Sequence, residues 1–272
     1  MSVSISFRPL FVAAHGPVCS VLRIDNFTIL LDCGWTEEFA EADLDTLKTL
    51  IPEIDAVLLS FPDIEHLGAL PYLVATAGLT APIYATLPVV KLAEQCLYDT
   101  LASRRELRML SRLPFTAADI DAALARITPL SFSSETSLPP PRGAGIVITP
   151  FPAGRLLGGA FWRLTKETET IVYAVDFNHV KDKLVDGGFM ETAGRHPTVL
   201  ITDAYNALHP RLESRKVRRT KLLTNITSTL QRGGNVLLPV NPARALETAF
   251  LLNEEWIERK LVYKYVSRDL SS

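Results

Sequence analysis

Five acids carry most of the chemical interest of this sequence. Asp32 follows the apolar run FTILL, Asp63 and Glu65 follow AVLLS, Asp176 follows IVYAV, and Asp203 follows VLIT. In open α/β sheets, functional sites gather at the carboxyl ends of strands. Acids after strands also cap the next helix or turn, but four strand ends bearing them in one chain point to a shared pocket. A single histidine, His66, stands beside two of these acids in LLSFPDIEHLGALP (58–71), with Gly68 two positions on. From its own residues this stretch reads as a metal-binding turn, the remnant of one, or a polar loop.

The rest of the reactive inventory is sparse. His15, His179, His196 and His209 are scattered without metal spacing, and His179 is close enough to Asp176 in sequence to support it. Cys19, Cys33 and Cys96 are odd in number and form no CxxC pair, so neither a zinc ribbon nor a disulfide framework is expected, and a reducing, intracellular compartment is the natural reading. Gly158-Gly159 is too short for a phosphate-cradling loop, so nucleotide binding has no support. The net charge of −2 gives the chain as a whole no pull toward nucleic acid or membrane. One basic cluster, PRLESRKVRRTK (210–221), holds Arg211, Arg215, Lys216, Arg218, Arg219 and Lys221. It fits RNA phosphates, a nuclear-import signal or a solvated helix start. No apolar run is long enough to span a membrane.

The elements that must position these residues are those of an α/β protein. SVLRID (20–25) and FTILLDCG (27–34) meet at Asn26 as a hairpin. DLDTLKTL (43–50) has helical spacing with Asp43 as its N-cap, and IDAVLLS (54–60) reads as a strand buried on both faces. GALPYLVATAG begins a helix that ends at Gly78, and APIYAT (81–86) is a short strand. Residues 87–127 are mainly helical, with a capping box at Thr116 and Asp119. The Pro-rich 133–145 is a loop, its prolines at 138–142 serving as a connector. Strands are expected at 146–153, 159–167, 170–177 and 198–206, then helix 219–231, strand 235–240 and helix 243–256. Beyond about residue 205 strand and helix repeat as in a parallel unit.

Five of these segments, in order, resemble motifs of the metallo-β-lactamase superfamily. LLSFPDIEHLGALP resembles the metal turn H-x-H-x-D-H followed by G-A-L-P. ILLDCG, PAGRLLGG and YAVDF are similar to the first, third and fourth motifs, and LITDAYN to the acid that opens the β-CASP insertion of the nucleic-acid-processing branch. The resemblance implies a metallo-β-lactamase-like αββα sandwich over residues 1–204, followed over 205–272 by an incomplete β-CASP-like domain.

Matched position by position, the motif's first histidine falls on Phe61, the second on Asp63, the motif aspartate on Glu65, and the third-motif histidine on Arg155. His66, Asp32 and Asp176 are kept, and Asp203 is the β-CASP acid. Two-metal hydrolysis needs imidazole and carboxylate donors around both ions. Phe61 has no donor atom, and the Arg155 guanidinium is always charged with no lone pair to give. The site therefore reads as vestigial, with no catalytic residue, no metal and no cofactor. The alternative is a harder Mg²⁺ or Mn²⁺ site built from Asp32, Asp63, Glu65 and Asp176, which Arg155 would repel. Buried carboxylates without a metal need cations, so the Arg155 guanidinium is expected within reach of Asp32, Asp63 or Asp176.

DCGW (32–35), LGALPYLV (67–74), PIYATLPVVK (82–91), PAGRLLGGAFW (152–162) and IVYAVDFNH (171–179) narrow the likeness to the non-catalytic subunit-2 family of the cleavage and polyadenylation specificity factor. That resemblance implies a nuclear scaffold of messenger-RNA 3′-end processing. It implies pairing with the catalytic subunit-3 endonuclease and symplekin through regions beyond those present here, and pre-mRNA as a further partner. An inactive Integrator-type paralogue and a residual metal-dependent RNA hydrolase are the alternatives. Because the family is longer, this chain is expected to be a fragment, a truncated gene model or a short isoform. Exposed sheet edges and poor solubility are expected to follow.

Overall fold

The computed structural model describes residues 3–11, 16–106, 113–181, 184–188, 190–193, 195–204, 214–240 and 242–260. Arg211, His15 and His209 lie outside them.

The chain opens with strands β1 (Ile5–Pro9), β2 (Cys19–Ile24) and β3 (Phe27–Cys33), an antiparallel meander whose second turn passes through Asp25 and Asn26. A 3₁₀ turn (Glu41–Leu44) leads into α1 (Asp45–Leu50). Then follow β4 (Ala56–Leu58), α2 (Ile64–Leu67), α3 (Leu70–Ala75), β5 (Ile83–Thr86), the long α4 (Leu87–Glu106), α5 (Ala117–Ala125) and β6 (Ile127–Leu130). These strands form one sheet in the order β1 to β6, with β3 through β6 parallel. A second sheet holds β7 (Thr136–Ser137), β8 (Ile146–Pro152), β9 (Ala160–Lys166), β10 (Glu169–Ala174) and, after α6 (Met190–Ala193), β11 (Val199–Thr202), the last pairing parallel to β10. Helices α7 (Arg215–Gln231) and α8 (Pro242–Glu258) complete the described chain.

The period-2 alternation of strand side chains builds the layers. In β3, Leu30 points to the helices, where it packs with Leu44, Leu70, Val89, Leu97 and Ile120. Its neighbours Ile29 and Leu31 point the other way and meet Ile148, Trp162 and Tyr173 of the second sheet. Both faces of β3 are thus buried, which is why its sequence is mostly apolar, with Thr28 and Asp32 as its buried polar residues. The outer face of the second sheet is covered near Phe161 and Val172 by Met190 of α6. The result is the expected αββα sandwich. Helix α8 packs on α4, and its own apolar side, Leu252 and Trp256, meets Leu223, Ile226 and Leu230 of α7.

Three expectations need correction. Asp43 caps no helix: it lies inside the 3₁₀ turn and accepts a hydrogen bond from Thr36 Oγ1 at 2.8 Å. The segment 235–240 forms no strand. A strand needs a neighbour to satisfy its backbone groups, and no strand among the described residues offers one, so Leu237 stands 89% exposed. Helix α7 starts earlier than expected, because Ser214 accepts from Val217 N and starts it at Arg215. The Thr116–Asp119 capping box forms as read, each side chain bonding the other's backbone N–H. No helix among the described residues is long and apolar enough to cross a membrane.

Candidate functional site

Strand ends and the turn after β4 converge on a cavity of about 640 Å³, lined by Asp63, Glu65, Phe61, Arg155 and Asp176 together with Trp35, Glu37 and the start of α8 at Ala243 and Arg244. Of the five strand-end acids, three line it; Asp32 lies wholly buried behind it and Asp203 beside Asp176.

Asp32 and Asp176 share an unusual backbone. Both close a strand in the left-handed region, at φ 56° and 52°, a conformation that aspartate tolerates better than most residues. The twist turns each carboxylate out of the ladder. Asp32 accepts from Ser60 N and from the Tyr173 hydroxyl, both at 2.7 Å. Burial pushes its carboxyl up to about 6, against the opposing pull of the His66 charge and of the Tyr173 and Ser60 hydrogen bonds. Asp176 pairs with Arg155, which reaches it from the loop after β8. Its backbone N–H donates to Asp203, tying the end of β10 to the end of β11.

The turn from Phe61 to Gly68 is held on its backbone side. Val18 N donates to Glu65 O at 2.7 Å, and Trp35 N to Ile64 O at 3.0 Å. Gly34 lies so close that a Cβ there would sit 1.7 Å from the Glu65 carbonyl oxygen. His66 is 1% exposed. Its Nδ1 lies 2.6 Å from Asp63 Oδ1, and its ring leans on Phe61 with centroids 4.8 Å apart. Burial alone would lower its pKa, but the Asp63 carboxylate, with Asp32 and Glu65 behind it, outweighs this and brings it up to about 8. At neutral pH it is therefore an imidazolium donating to Asp63. Burial pushes Asp63 upward, yet the His66 and Arg155 charges hold it below the ordinary carboxylate value.

These residues do not fit a metal pair. Phe61 is packed into the inter-sheet core among apolar side chains, and Arg155 places a guanidinium on Asp176. Among the described residues no three His, Cys, Asp or Glu side chains come together so as to hold a metal ion. The arrangement is instead a set of cation–carboxylate pairs, His66 with Asp63 and Arg155 with Asp176, around a buried aspartate held by Tyr173 and Ser60. Arg155 reaches Asp176 among its three candidate acids. His179 is exposed, and Cys33 is a buried free thiol that desolvation holds in its neutral form. Tyr173 and Arg244 escaped the sequence reading. Tyr173 sat in an apolar strand with nothing to single out its hydroxyl, and Arg244 in an ordinary helical pattern. In the basic cluster, Lys216, Arg218 and Lys221 are exposed and Arg219 is half-buried, 3.3 Å from Glu254.

Comparison with known proteins bears on the fold and on the motifs. The family description "Metallo-beta-lactamase superfamily domain" matches residues 21–205. "Cleavage and polyadenylation specificity factor subunit 2" of Oryza sativa subsp. japonica is 44% identical over 265 residues, 97% of this chain and 35% of that protein. "Probable cleavage and polyadenylation specificity factor subunit 2" of Drosophila melanogaster is 45% identical over 244 residues, 89% of this chain and 32% of that protein. The chain thus spans about a third of the length of these curated relatives. The solved structure of the metallo-beta-lactamase fold protein YhfI from Bacillus subtilis aligns with 63% of this chain and 62% of its own at TM-score 0.38 and 17% identity.

Proposed function

The chain belongs to the metallo-β-lactamase superfamily, and we propose that it is a non-catalytic scaffold in nuclear messenger-RNA 3′-end cleavage and polyadenylation, its metal centre replaced by fixed ion pairs. The process comes from the names of relatives 44% and 45% identical to it. The loss of catalysis rests on one observation: Arg155 occupies the third-motif position and pairs with Asp176. A metal at that position would have to displace a permanent cation from the carboxylate that was to bind it.

The charge pattern supports a structural role for the remnant. Asp63 is neutralised by His66 and Asp176 by Arg155, while Asp32 takes two short hydrogen bonds. A site whose carboxylates are already satisfied gains little from an ion. The scaffold would act with the catalytic subunit-3 endonuclease and symplekin, and with the pre-mRNA they process.

Metal content tests the first half. Purified without chelator and then exposed to zinc, the chain should retain below about 0.1 zinc per molecule by mass spectrometry, where a working two-metal site would hold about two. Near-stoichiometric zinc, magnesium or manganese would overturn the vestigial reading. Co-purification of subunit-3 endonuclease and symplekin with a chain extended to the length of its relatives tests the second half; their absence would remove the scaffold role and leave the metal result standing.

A further inference from the structure

Helix α7 is built against its own stability. Its first turn carries no acid but holds Arg215 and Lys216, with Arg218 just beyond. The positive end of a helix dipole favours acids there and disfavours cations. No Asp or Glu occurs between Ser214 and Leu246. Another long acid-free stretch, 136–166, lies mostly in strands of the second sheet, whereas this one includes an exposed, strongly basic helix. A merely solvated helix face mixes its signs, as α4 does with Lys91 beside Glu94.

The faces of α7 separate cleanly. Leu223, Ile226 and Thr227 are buried, with Leu223 and Ile226 packing on α8. Arg219, on the flank, is bound to Glu254. On the opposite side Arg218, Lys221, Asn225 and Arg232 are all exposed and recur at three-, four- and seven-residue spacing, which lines them up on one side of a helix. From Arg218 to Arg232 the stripe runs about 20 Å at 1.5 Å per residue. It is also set apart from the cavity: the cavity meets α8 at Ala243 and Arg244, whereas the start of α7 meets Glu254, about 15 Å further along α8.

We infer that the outer face of α7 is a binding surface for the phosphodiester backbone of single-stranded RNA, separate from the remnant metal site. Its chemistry is that of backbone recognition: Arg and Lys for phosphate charge, with the Asn225 amide and neighbouring hydroxyls as hydrogen-bond donors. Such a surface positions a strand without reading its bases. The choice of RNA over DNA rests on the proposed role in 3′-end processing; the phosphodiester surface itself does not.

The test is fluorescence anisotropy of the full 272-residue chain with a labelled single-stranded RNA, titrated from low to physiological salt. Each phosphate contact contributes a slope of about −0.7 in log K against log salt for single strands. The variant Arg218→Gln/Lys221→Gln removes two cations of the stripe and should flatten the slope by about 1.4, with affinity at low salt falling several-fold or more. Its thermal unfolding should stay cooperative, with the midpoint unchanged or raised, because like charges near the positive end of a helix have been removed. Lys91→Gln, on α4, should leave binding as it was. Equal affinity for DNA of the same sequence supports the surface and counts only against the role in RNA processing. The inference is overturned if RNA does not bind at low salt, if the double variant keeps the original slope while folded, or if its only loss is binding to a nuclear-import receptor.

Discussion

The resemblance places His66 where the metal turn keeps its last histidine, and in this fold the ring has another partner. In the intact motif it would give an imidazole lone pair to an ion. Here Nδ1 faces Asp63, and Nε2 is buried with no hydrogen-bond partner. Its pKa rises from 6.5 to about 8 in the fold. The stabilisation from a raised pKa is complete below the unfolded value and disappears as pH climbs through the folded one. Between pH 6.5 and 8.5 the chain should therefore lose on the order of 2 kcal/mol of unfolding free energy, measurable by urea denaturation. Asp32, raised to about 6, acts with the same sign but mostly below this window. His66→Gln should flatten the dependence; a variant that keeps the slope would show that another group carries it. At this scale one contact was legible in the sequence, because a permanent guanidinium among strand-end carboxylates needs one of them as its partner, and Arg155 pairs with Asp176. Tyr173 was not, since its role depends on which face of β10 looks toward Asp32, and that follows only from the packing of the two sheets.

Elements position these residues through close backbone approaches that side-chain patterns do not record. Gly34 follows β3 and lies against the backbone of α2 at Glu65, and its N–H donates to Val18 O at 2.9 Å. A methyl group at this position would sit 1.7 Å from the Glu65 carbonyl oxygen, and backbone cannot rotate aside as a side chain can. Gly34→Ala should cost about 3 kcal/mol or more, since the end of β3 and the His66 turn must part. Gly78→Ala is the informative contrast. Gly78 has φ +77° with open space around it, so only the left-handed conformation is penalised, at about 1 kcal/mol. Similar losses in the two variants, by chemical denaturation, would show that the turn has slack. The same distinction explains the element-level record. Local signals such as the Thr116 capping box and the apolar β3 were readable because they are fixed by near neighbours or by burial on both faces. Segment 235–240 has strand-like residues, but a strand is defined by its partner, and none stands beside it among the described residues.

Across the described residues, the most exposed large apolar side chains lie at the α7–α8 end, although Leu87 and Leu200 of the sandwich are also more than half exposed. Leu237 is 89% exposed, Ile257 68%, Phe250 50%, and Leu246 and Val240 46% each. Leu246, Phe250 and Ile257 recur along one side of α8 at helical spacing, a different side from the one by which Leu252 and Trp256 meet Leu223 and Ile226. Contiguous exposed apolar surface drives association; on the α8 side Arg244 is paired with Glu247 and Arg219 with Glu254, so the opposing repulsion comes from the α7 stripe. The chain should therefore self-associate with rising concentration, as seen by light scattering. Leu237→Lys/Phe250→Lys should suppress that association. It should leave stability within about 0.5 kcal/mol, because the replaced side chains contribute little to the core and exposed substitutions rarely cost more. If the double variant associates as strongly as the parent, the contact lies elsewhere, and the edge strands of the two sheets become the next surface to test. If it unfolds at lower denaturant, Leu237 or Phe250 carries packing and the α8 face is not a free surface. A monomeric, stable variant is the outcome that assigns the stickiness of this molecule to the α7–α8 end and frees the α7 stripe for binding measurements without aggregation.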